Sequence, residues 1–90
     1  MAKAHVNPAE LRQFARDLNR FNSELETLIS GLHSRLLGLE KTWNDQEQHK
    51  FMEEFERSMK VLSRFLDSSG RHSSFLLKKA RLIEEYLQQH

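Results

Sequence analysis

At the midpoint of this 90-residue chain, Thr42-Trp43-Asn44-Asp45-Gln46 separates two long arms patterned as helices. Trp43 is the single tryptophan, and it ends a regular apolar stripe where helix-capping residues begin. A bulky anchor at the bend between two helical arms is the arrangement of a helical hairpin, so an all-α fold is expected.

The first arm opens with a complete start signal. Asn7 suits the N-cap, Pro8 the first helical position, and Glu10 stands where a capping box closes back on the cap. Val6 and Leu11 flank this box at the spacing of a hydrophobic staple. Leucine then recurs every seven residues at Leu11, Leu18, Leu25, Leu32 and Leu39. A second column runs Phe14, Phe21, Leu28 and fails at Arg35; a third takes over with Ile29, Leu36 and Trp43. At about 100° per residue, all of these fall within an arc of about 100°. A strict heptad drifts by about 20° per repeat, so the change of column keeps the stripe on one line of a nearly straight helix. The pattern predicts one helix over about 8–41, roughly 50 Å long.

After a turn at 42–45, the second helix is expected over 46–88, so that residues 1–90 form a single hairpin. Asn44 or Asp45 serves as its cap, with Glu47 or Gln48 respectively closing a box. Its core stripe reads Phe51, Phe55, Met59, Leu62, Leu66, Ser69, Ser73, Leu76, Ala80, Ile83, Leu87. Beside it runs a further apolar column of Val61, Phe75, Leu82 and Tyr86, which widens the face beyond what one partner helix covers. Five small residues fall between Ser68 and Ser74, where glycine costs about 1 kcal/mol in a helix. Either they form a linker that splits the arm, or they let another helix approach closely. Folding at the turn would bring them opposite Leu18 and Phe21, large against small, which favours a continuous helix.

Two such helices make one layer with no enclosed interior, and the apolar surface left over needs a second layer. The expected solution is an elongated four-helix bundle made of two hairpins, with Val61, Phe75, Leu82 and Tyr86 in the interface. Trp43 is expected to be mostly buried, against Leu39 and apolar residues of helix 2 or of the partner's ends.

Composition removes most chemical functions. The chain has no cysteine, which excludes disulfides and thiolate chemistry. No two of the five histidines stand three or four residues apart, so there is no local metal-binding pattern and no metal or cofactor is expected. His49 and Glu53 share a helix face, as a solvated surface pair does. No Gly-rich phosphate loop and no nucleophile elbow occurs, and Glu53-Glu54 and Glu84-Glu85 read as hydrated helix surface. A non-enzymatic protein is expected. Lys78, Lys79 and Arg81, with Arg71, form the densest basic group, but Glu84 and Glu85 follow at once and the formal charge is only +1. That balance argues against nucleic acid as a partner. Apolar runs are at most three residues long, so no membrane insertion is expected. Met1–Val6 has no apolar core of a cleavable signal peptide.

The turn Trp43-Asn44-Asp45, followed by Phe51 and Phe55, resembles that of the WXG100 (ESAT-6-like) proteins, small helical hairpins named for a Trp-X-Gly turn. Lys79-Ala80 with Tyr86-Leu87 is similar to the family's C-terminal end, and the resemblance covers about Asn7 to Leu87. It implies a dimeric four-helix bundle, with a second copy or with a related hairpin protein. It also implies a role as substrate or partner of a type VII (ESX-like) secretion system, whose ATPase would be a further partner. Asp45 stands in place of the turn glycine. The family's export signal, a tyrosine with Asp or Glu four positions on, is not completed: Tyr86 is followed at that distance by His90. Two locations follow, secretion without a cleavable signal peptide or retention in the cytoplasm as a helical adaptor or chaperone. Made alone, the chain is expected to stay in the cell.

Overall fold

The computed structural model describes residues 6–88; His5 and His90 lie outside them. The chain forms two antiparallel helices, α1 (Pro8–Leu39) and α2 (Gln46–Gln88), with no strand among the described residues. The molecule measures 68 × 24 × 15 Å, the short axis being one helix layer thick. Its radius of gyration is 20.2 Å, where a compact chain of this length would have about 12 Å.

Helix α1 starts as the sequence indicates. Asn7 is extended, its side chain accepts a hydrogen bond from the Ala9 N–H (2.9 Å), and Pro8 opens the first turn. The helix ends at Leu39, two residues short of the sequence-based bound. The Glu40, Lys41 and Thr42 amides turn back onto the carbonyls of Leu37, Gly38 and Leu39, a tightening that uses up the orphan acceptors of the last turn. The Trp43 N–H also donates to the Leu39 carbonyl (2.8 Å).

Of the two candidate caps of α2, Asp45 is the one used. Its Oδ1 accepts from the Gln48 N–H (2.9 Å) and its carbonyl from the His49 N–H (3.3 Å). No described residue has a positive φ. This connection therefore needs no left-handed residue, and an acidic cap at the α2 N-terminus replaces a glycine without backbone strain. Helix α2 then runs unbroken through Ser68–Ser74.

The small residues of that stretch are where the helices come closest. Ala15, Ala80 and Ser73 are at most 1% exposed and Ser69 is 4% exposed. Ser73 Oγ reaches the Ala15 carbonyl (3.3 Å) and Ser69 Oγ donates to Asn22 Oδ1 (2.8 Å). Ala15 and Asn22 thus meet the patch on either side of Leu18, which lies on the sheltered line as expected, whereas Phe21 turns outward onto Phe65. On α1 the sheltered line steps Leu11, Ala15, Leu18, Asn22, Leu25, Ile29, Leu36; on α2 it follows the expected stripe from Phe55 to Ile83. At its ends Met52 turns inward in place of Phe51, and Leu87 stays exposed.

An ion pair and a histidine–carboxylate hydrogen bond bridge the helices along one edge. Arg12 grips Glu84 with two hydrogen bonds, Nε to Oε2 (3.1 Å) and Nη2 to Oε1, while His33 Nε2 and Glu56 Oε1 lie 3.1 Å apart. The hydrogen bonds from Arg12 hold the Glu84 carboxyl below its ordinary 4.5. A carboxylate with a lowered folded-state pKa adds stability above its unfolded value and loses it as the pH falls through the folded value. Acidification below about pH 4.5 should therefore lower the melting temperature of the wild type more than that of Glu84→Gln. Added salt should shrink the difference, since both side chains are about one-third exposed.

Candidate interaction surface

Once α1 and α2 have met along their seam, a second apolar surface remains. Phe14, Phe21 and Leu28 on α1 are 57%, 49% and 69% exposed, with Leu32 and Leu39 alongside. On α2, Val61, Phe75, Leu82 and Tyr86 are all more than half exposed, and Phe65 and Phe51 nearly so. The Phe21 and Phe65 rings meet edge to face across the helices, with centroids 6.3 Å apart. Both columns therefore lie on the same side of the hairpin. Helical periodicity puts Arg12 and His33, with their carboxylate partners, on the far side. One broad face is apolar and the other is polar.

The four interface residues taken from the sequence thus stand exposed on one helix face. The sequence does not separate the α1 half of this surface, because Phe14, Phe21 and Leu28 share one arc with Leu11 and Leu18. The dividing signal was size. Ala15 and Asn22 rank below the phenylalanines by hydropathy, yet their smaller side chains let Ser73 and Ser69 close in, and Phe14 and Phe21 turn outward.

At the turn end, an aromatic chain fastens the bend. Trp43 lies tilted on Phe51 (centroids 5.8 Å), Phe51 on Phe55 (6.0 Å), and Phe55 stacks on the His33 ring (6.5 Å). Within one hairpin Trp43 is half-buried, because Phe51 beneath it is itself exposed and no second layer covers the indole. Trp43→Ala should then cost about 2 kcal/mol in chemical denaturation, below the ~3–5 kcal/mol of a fully enclosed aromatic. Asn44 is exposed beside it.

Among the described residues no group of three His, Asp or Glu converges, and no helix is long and apolar enough to cross a membrane. His49 and Glu53 are both exposed.

Against known families, the model of WXG100, "proteins of 100 residues with WXG", matches residues 3–86. The chain belongs to the WXG100 family. Its Trp43-Asn44-Asp45 bend provides the tryptophan of that name, with Asp45 where the motif has glycine. Solved structures of the secreted protein EsxB from Bacillus anthracis str. Sterne share the WXG100 fold seen here. One aligns at TM-score 0.82 and 24% identity over 96% of this chain and 98% of its own. A proline-to-alanine variant gives 0.84 and 25% over 94% and 96%. The wild-type protein in another crystal form gives 0.77 and 26% over 90% and 93%. A search of curated proteins gives no match.

Proposed function

We propose that this WXG100 hairpin is a non-enzymatic assembly unit of a type VII (ESX-like) secretion system, pairing with a second copy through its apolar face. The observation that carries the reading is that face, continuous over both helices of a molecule 68 Å long and 24 Å wide. The projected outline of that side of the molecule, 68 by 24 Å, is larger than the ~800 Å² per partner of a standard interface.

A second copy suits the face in charge as well as shape. By helical periodicity the face carries Arg35 and Glu10 at the two ends of α1, and Glu54 and Lys79 towards the two ends of α2. Stacked end for end about its middle at Phe21 and Phe65, one copy brings Glu54 towards Lys79 of the other, and Arg35 towards Glu10. The direction follows from the overhang. Helix α2 is eleven residues longer than α1, and with Ser73 facing Ala15 its last turn carries Tyr86 past the start of α1. Turned end for end, that overhang covers the partner's Trp43 and Phe51, which are left half-wet in a lone hairpin.

The chain lacks cysteine, so Phe65→Cys introduces a unique thiol near the two-fold axis. Mild oxidation should link Phe65→Cys to itself as a dimer. A link that appears only when Phe65→Cys is mixed with Phe21→Cys would mean that the copies run in the same direction.

The secretion role rests on family membership and on the likeness to EsxB, a secreted protein. His90 in place of an acid four positions after Tyr86 supports a second reading, in which the hairpin works inside the cell as an adaptor or chaperone. Export then depends on a partner that carries the tyrosine-plus-acid signal, such as a related hairpin or cargo delivered to the secretion ATPase. Expressing the chain in a host with a working type VII system, with and without such a partner, separates the readings. Appearance in the medium only with the partner supports escorted export, and retention under both conditions supports the adaptor.

A further inference from the structure

The formal charge of +1 hides a strong segregation. Residues 57–81 hold seven of the fourteen Lys and Arg but only one of the thirteen Asp and Glu. Most of these cations form one line. Stepping by three and four along α2, as the apolar seam does on the opposite side, eight consecutive positions include Arg57, Lys60, Arg64, Arg71, Lys78 and Arg81. The other two are Asp67 and Ser74, and all eight are exposed. The stripe is about 36 Å long and points away from α1. It lies off the apolar face, so it stays open whether or not the hairpin pairs.

Within the stripe Arg57–Lys60, Lys60–Arg64 and Lys78–Arg81 are like charges one helical turn apart, each destabilising the helix by about 0.2–0.5 kcal/mol, while Asp67 offsets Arg64 and Arg71 from one turn away on either side. Among the described residues no stripe cation joins an ion pair; Arg12 pairs with Glu84, and His33 bonds to Glu56. The excess of six cations over one acid on this line suits an anionic partner.

Three features identify that partner. The stripe contains no apolar side chain, so it has nothing to insert into a membrane surface. It contains no Asn, Gln or aromatic side chain to read a base edge. It is also closed at both ends by acids on the same line, Glu53 before Arg57 and Glu85 after Arg81. A continuous polyanion such as duplex DNA would run on into those carboxylates. A straight partner of limited length with its own three-and-four spacing avoids them. We propose that the outer stripe of α2 docks an acidic α-helix of a partner protein, about 25 residues long, with Asp or Glu recurring every three to four positions and basic residues at its ends.

The probe is a labelled synthetic helical peptide of that design, compared with a scrambled peptide of identical composition and with a duplex DNA of about 20 base pairs. At about 50 mM salt the full-length protein should bind the patterned peptide best, and binding should weaken as salt rises. Arg64→Glu with Arg71→Glu should weaken it at least about tenfold. The same charge change on α1, Arg16→Glu with Arg20→Glu, should leave it within about twofold. Circular dichroism of both double variants should show unchanged helicity. The proposal is overturned by absent binding, by equal binding of the scrambled peptide, by tighter binding of the duplex, or by equal losses in both variants.

Discussion

Phe75→Glu is expected to convert the protein into a monomer at concentrations where the wild type is paired. Phe75 is 61% exposed in the single hairpin, so the substitution removes little from the α1–α2 seam. In a face-to-face pair the position occurs twice. Each copy would lose a buried aromatic and place a carboxylate against apolar surface, where a charge without a partner is costly. A weakening of about a hundredfold or more in the dimer dissociation constant is expected, equivalent to about 3 kcal/mol or above. Helicity in concentrated samples should remain high, because the caps at Asn7 and Asp45 and the Ala15–Ser73 contact are untouched. Loss of helicity in parallel with loss of mass would assign Phe75 to the hairpin itself.

The second large effect is expected at the closest approach of the helices. Ser73 is 1% exposed with its hydroxyl on the Ala15 carbonyl, and Ala15 opposite is fully buried. Ser73→Leu has no space to occupy and must push α1 away along much of its length, at a cost of about 3 kcal/mol. Ser73→Ala removes only the hydrogen bond and should cost about 1 kcal/mol. Denaturant melts of the two variants should therefore separate clearly. Equal stabilities would show that this part of the seam is loosely packed.

These two positions also show how far the sequence could be read. The cap at Asn7, the bend at Trp43 and the α2 stripe from Phe55 to Ile83 follow from local rules: short-range hydrogen bonds and a three-and-four spacing of apolar side chains. Helix α1 offered more apolar columns than one partner helix can bury. Hydropathy ranks Phe14 and Phe21 above Ala15 and Asn22, whereas packing ranks them the other way, because Ser69 and Ser73 on the facing helix demand small neighbours. Such pairwise size matching appears only when both helices are in register. Trp43 is half-buried in the lone hairpin, since burying an indole at a bend takes a layer that only a partner's ends would add. The cationic stripe of α2 shows in the sequence as the group from Arg71 to Arg81, and the unbroken helix through Ser68–Ser74 is what joins it to Arg57, Lys60 and Arg64.

The central claim is that the apolar face is covered by a second copy. The most direct measurement is the mass of the untagged wild-type protein by light scattering after gel filtration at micromolar concentration. The account predicts about 21 kDa, twice the 10.7 kDa of one chain. A stable species of 10.7 kDa at that concentration would contradict it.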